Sequence, residues 1–126
     1  MLLEHQADVN AQGGAYGNAL QAAAAGGYEQ VVQMLLEHKA DVNTQGGVYG
    51  NALQAAAAGG HEQVVQMLLE HKVDVNAQGG HYGNALEAAA AGGHEQVVQM
   101  LLEHKADVTA QGGAYHQGIG DGQTWD

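Results

Sequence analysis

The side chains of this chain that could do chemistry come in rows. Histidine recurs at His5, His38, His71 and His104, and a second series runs Tyr28, His61, His94. Imidazole is a general base and a common metal ligand. Equivalent histidines on stacked helices, however, stand roughly 8–10 Å apart, too far to share one zinc held at about 2 Å from each nitrogen. No metal or other cofactor is expected, and histidine at a helix end suits the local dipole. Protonating all eight His near about pH 6.5 would bring the formal charge from −11 to about −3. Self-association is therefore expected to be stronger near about pH 5 than near neutrality.

The stretch "DVNAQGG" at 8–14 sets Asp8, Asn10, Gln12 and Gly13 like the opening of a calcium loop. Its twelfth position is Ala19, where that loop needs a bidentate Glu. The expectation is a turn whose Asp and Asn side chains bond to local backbone. "GGAYGNAL" enters a predicted helix as a phosphate loop does, but it follows no strand and lacks the lysine. Neither Ser nor Cys occurs, so the common nucleophile–base triads cannot be assembled, and Thr44, Thr109 and Thr124 are weak hydroxyl candidates. No catalytic residue is expected, and the chain reads as a non-enzyme.

Tyr16, Tyr49, Tyr82 and Tyr115 each sit in "GGxYG", and the residue before them varies: Ala15, Val48, His81, Ala114. Tyrosine is a favoured interface anchor because it offers a large area with little rotamer freedom to lose. A ladder at fixed spacing equally suits internal stacking. Both readings stand at the level of sequence.

These rows exist because the chain repeats. "MLLEH" occurs at 1, 34, 67 and 100, a period of 33 residues, and residues 7–39, 40–72 and 73–105 are three near-identical copies with partial copies at either side. The array spans 1–115, and 116–126 is a divergent tail. Self-similarity at this period predicts a solenoid. In each copy Asn18, Asn51 or Asn84 caps a short Ala-rich helix, and Gln21, Gln54 or Glu87 three residues on completes a capping-box pattern. "GG" ends that helix, because glycine tolerates the left-handed backbone of a sharp turn. In "YEQVVQMLLEHK", Val31, Val32, Leu35 and Leu36 form one apolar stripe, with Glu29 in the first turn and His38 and Lys39 in the last. "ADVNAQGGAYG" reads as a hairpin-like extension. One copy cannot bury its own stripe, so the copies must stack.

Composition narrows the partners. Three Lys stand against fourteen carboxylates, and that field repels phosphate backbones, so nucleic acid is not expected. No apolar run is long enough to span a bilayer and the start lacks the pattern of a secretory signal, so a cytoplasmic, membrane-free protein is expected. The absence of Cys leaves the redox compartment open.

The stretch "GNALQAAAAGGHEQVVQMLLEHKADVNAQ" resembles an ankyrin repeat at Leu20, Ala23, Ala24, Gly27, Val31, Val32, Leu35, Leu36, Ala40, Asp41, Val42 and Asn43. The "GGxYGNALQAA" flavour is similar to the C-terminal ankyrin arrays of fungal NLR-like sensor proteins. The resemblance implies an all-α, acidic ankyrin-repeat solenoid of helix–turn–helix plus hairpin, acting as a protein–protein interaction scaffold through its hairpin tips and inner-helix face. The residues it nominates are Tyr16, Tyr49, Tyr82, Val48 and His81 at the tips and Gln21, Gln54 and Glu87 on the inner helix. Three features depart from the family. Asn-Ala replaces Thr-Pro, Ala22, Ala55 and Ala88 replace a Leu, and Gln6, Lys39, Lys72 and Lys105 replace the glycine that ends the second helix. A non-glycine residue in a left-handed conformation costs about 1–2 kcal/mol, which predicts a looser helix end.

The sequence opens inside a copy and closes in "HQGIGDGQTWD". Three expectations compete for this: a fragment of a longer array, a module whose ends a partner covers, or a self-assembling structural protein stacking head to tail into filaments. The last would use the end helix around Val97, Val98, Leu101 and Leu102.

Overall fold

The structure, a computed structural model, describes residues 10–104. The partial copies, Tyr115 with Ala114, His5, Gln6, Lys105 and the tail at 116–126 lie outside the described residues.

Among the described residues six helices follow in order: α1 (Ala19–Gly26), α2 (Glu29–Glu37), α3 (Ala52–Gly59), α4 (Glu62–Glu70), α5 (Ala85–Ala91) and α6 (Glu95–Glu103). Among the described residues there is no strand, only isolated bridges Gly13–Gly17, Gly46–Gly50 and Gly79–Gly83 that close each hairpin. The helices form two layers, α1–α3–α5 and α2–α4–α6, each packing on the next copy's equivalent. The fold is the all-α solenoid that the period predicts.

The first helices begin as the sequence dictates. Asn18, Asn51 and Asn84 are extended, and each Oδ1 accepts from the backbone N–H three residues on, at 2.8–2.9 Å. Only half of the capping box forms, because the Gln side chains go elsewhere. Gly27 at φ 71° closes α1, with Gly27 and Tyr28 N–H donating to the Ala24 and Ala23 carbonyls. Alanine on the facing sides lets these helices approach closely, and Ala24, Ala52, Ala55, Ala56, Ala57, Ala88 and Ala89 are all buried.

The second helices end differently from expectation. Lys39 and Lys72 take the left-handed conformation themselves, at φ 69° and 63°. At Lys39 the stop is sharp: Lys39 N–H donates to the Leu36 carbonyl and Ala40 N–H to the Leu35 carbonyl, both at 3.0 Å. The looser end predicted for a lysine is not what this helix has; two recovered backbone bonds offset the unfavourable φ. His38 and Lys39 also fall just past the last turn, and His38 Nδ1 meets the Met34 carbonyl at 2.9 Å.

The core is a row of Leu20, Leu53, Val32, Val64, Val65, Leu68, Val97 and Leu101 with the alanines between. The apolar stripe is not buried throughout. Val31 is exposed, whereas its counterparts Val64 and Val97 are buried by a preceding copy.

Candidate interaction surface

The hairpin tips are joined to one another. Val48 N–H donates to the Ala15 carbonyl and His81 N–H to the Val48 carbonyl, each at 2.8 Å, so one backbone bond links every tip to the last. Glycine permits this approach. A Cβ at Gly47, where φ is +73°, would stand 2.6 Å from the Tyr16 carbonyl carbon and 2.7 Å from the Ala15 oxygen. On this spine Tyr16 and Tyr49 stack with ring centroids 6.5 Å apart and planes 17° off parallel. His81 meets Tyr82 edge-on at 5.0 Å.

Tyr49 and Tyr82 are half-buried and Tyr16 is exposed. The residues before them, Ala15, Val48 and His81, are all exposed.

The inner-helix residues divide. Gln21 and Gln54 are each 1% exposed. Gln21 Nε2 donates to the Gly46 carbonyl at 2.7 Å and Gln54 Nε2 to the Gly79 carbonyl at 2.9 Å, tying each first helix to the next hairpin. Their Oε1 atoms lie against Gly17 and Gly50, where a Cβ would collide. The contact role expected for Gln21 and Gln54 is corrected here, since a side chain closed inside the stack offers nothing to a partner. Glu87 takes the same place in the third copy, half-buried, with its Oε2 enclosed and without a hydrogen bond; burial raises its pKa above the ordinary carboxylate value.

Histidine also has a structural use that residue types alone did not reveal. His61 Nε2 meets the Ala25 carbonyl at 3.0 Å and His94 Nε2 the Ala58 carbonyl at 3.1 Å, so Nε2 carries the proton and links second helix to preceding first helix. The rings lie in the spaces left by Gly27 and Gly60. The signal was present in "GGH", where a Cβ-less residue one period earlier makes room for the ring. Loop Asp41 and Asp74 bond local backbone as expected, accepting from Asn43 and Asn76 N–H. The Asn side chains instead reach across copies: Asn10 Oδ1 accepts from Asp41 N–H and Asn43 Oδ1 from Asp74 N–H, at 2.8 and 2.7 Å.

On the end helix, Val97 and Leu101 are buried inside the stack, which corrects their expected place in a self-assembly surface. Val98 is half-buried and Leu102 is exposed. Among the described residues, no group of three or more His, Asp or Glu is placed to hold a metal, and no helix is long and apolar enough to cross a membrane.

Comparison with known families agrees with this architecture. The family described as "Ankyrin repeats (3 copies)" matches residues 44–112 and that described as "Ankyrin repeat" matches residues 18–46. No curated protein matches the chain.

Proposed function

The chain belongs to the ankyrin-repeat family, and on that premise we propose that it is a non-catalytic, cytoplasmic protein-interaction module that holds its partner along the hairpin tips. One observation carries the reading. The three full copies have the same residue nearly everywhere, and the single position with three different residues is the exposed one before each tip tyrosine: Ala15, Val48, His81. Most seam positions carry the same residue in all three copies, so this row is where the copies present the most distinct chemistry to a partner. Tyr16, Tyr49 and Tyr82 form the aromatic base of the contact, with Glu87 at its inner edge. The narrower likeness to fungal NLR-like arrays, and the division into an array at 1–115 and a tail at 116–126, belong to the same proposal.

A photo-crosslinking side chain placed at 15, 48 and 81, against controls at 33, 66 and 99 on the opposite helices, tests it. Crosslinks to one protein from the tip positions alone support the reading; equal yields from the helix positions refute it.

A second reading, self-assembly through the end faces, has its own observation: Val31 and Leu102 are 45% and 43% exposed at opposite ends of the described stack.

A further inference from the structure

Among the described residues, the large apolar side chains left exposed are Tyr16, Tyr28, Val31, Val48 and Leu102. All but one belong to the first or the last full copy. Val48 belongs to the middle copy, with a described tip on either side of it, and it is still 51% exposed. The stacking that buries Val64 and Val65 in that same copy does not reach it. Its backbone is already committed: its N–H donates to the Ala15 carbonyl and its carbonyl accepts from the His81 N–H, each at 2.8 Å. What Val48 offers is therefore its side chain, a branched aliphatic group with little rotamer freedom to lose.

The row of tips has a pitch. Tyr16 and Tyr49, one copy apart, stack at 6.5 Å between ring centroids, and the 2.8 Å backbone bond that joins Val48 to Ala15 is repeated between His81 and Val48. Two residues of an extended strand advance about 6.7 Å and return the side chain to the same face. A polyproline helix returns only after about 9 Å. In an α-helix four residues advance about 6 Å but overshoot the turn by about 40°, so a third contact has left the line. Of the three, the extended chain keeps step with Ala15, Val48 and His81.

Resting on the reading of the tips as the contact surface, we propose that the partner lays an extended segment along this row, with every second side chain toward the tips. The first facing residue is large and apolar, because Ala15 is the smallest of the three. The second is aliphatic, against Val48. The third is polar, a hydrogen-bond partner for the His81 imidazole, which meets the Tyr82 ring edge-on at 5.0 Å. The contact is made by side chains, since the N–H and carbonyl of Val48 are taken by its neighbours; it differs from strand addition, in which main-chain bonds supply the affinity. The formal charge of −11 favours Lys or Arg in the intervening positions of the segment, so binding weakens as salt is added.

Selection of short linear peptides from a displayed random library on the immobilised full chain tests this, followed by titration of the selected peptides against wild type, Val48→Asp and Gln63→Asp, the last controlling for the added charge. Both positions are exposed, and unchanged helical circular dichroism verifies the fold. The selected peptides are expected to carry apolar residues at i and i+2, and to lose more than about tenfold in affinity on Val48→Asp but less than about twofold on Gln63→Asp. One residue inserted between the two anchors turns the second to the far face and should lose as much as Val48→Asp does. A peptide that tolerates the insertion, or Val48-dependent peptides whose anchors are three or four residues apart, overturn the extended segment and leave the reading of the tips. A selection that yields no peptide does the same. Peptides indifferent to Val48→Asp overturn both.

Discussion

The middle copy and the two beside it have the same helices and different fates. In α4, Val64 and Val65 are both 0% exposed, whereas the same letters leave Val31 45% exposed in α2 and Val98 half-buried in α6, and Leu102 is exposed where its counterpart Leu69 is half-buried. What a residue contributes in this molecule is set by whether a neighbour covers it. Stability therefore concentrates in the seams.

The largest effect that would break this comparison is at leucine. Leu68→Ala is expected to lose about 2–5 kcal/mol of stability in denaturant unfolding, and Leu102→Ala under about 1 kcal/mol when measured at concentrations where the chain is monomeric. Similar losses at both sites would mean the seams do not carry the fold. Next come the tips. Gly47→Ala and Gly14→Ala share the strain of a left-handed alanine, at φ +73° and +75°, but only the first would push a Cβ into the preceding tip. Gly47→Ala should lose about 1–3 kcal/mol more; equal melting temperatures would show that the tips are not held together.

A smaller, stabilising change sharpens the comparison. Lys39→Gly relieves an unfavourable φ of 69° and should add about 1 kcal/mol, with Lys72→Gly adding independently. The smallest effect is at Glu87. Its carboxyl is raised in the fold by burial, so the folded chain binds more protons than the unfolded one between the two pKa values. Stability should then fall as pH rises through that window, and Glu87→Gln should remove that slope in melts taken from acid to neutral pH. A slope unchanged in the variant would show that Glu87 does not cause it.

Much of the fold was legible because repetition and local bonds carry it. Asn18 caps α1 through an atom three residues away, and Gly27 stops it by its own φ. The candidate surface was legible in part. The tip row stood out by its variation, but Gln21 was misplaced because its partner, the Gly46 carbonyl, is 25 residues distant. The same holds for His61, whose carbonyl partner is 36 residues back. A capping-box motif cannot tell whether the glutamine turns its Oε1 to the N–H of its own cap or its Nε2 to a carbonyl of the next copy, since the amide carries both an acceptor and a donor.

By itself the sequence determined the period, the helix pairs and the acidic field, because these depend on residue type and on spacings within one helix or turn. Only the tertiary structure decided which of two identical valines is core and which is surface, where the glutamine amides go, and that lysine ends a helix as glycine would. Those outcomes depend on what stands one copy away, which the letters of a single copy do not contain.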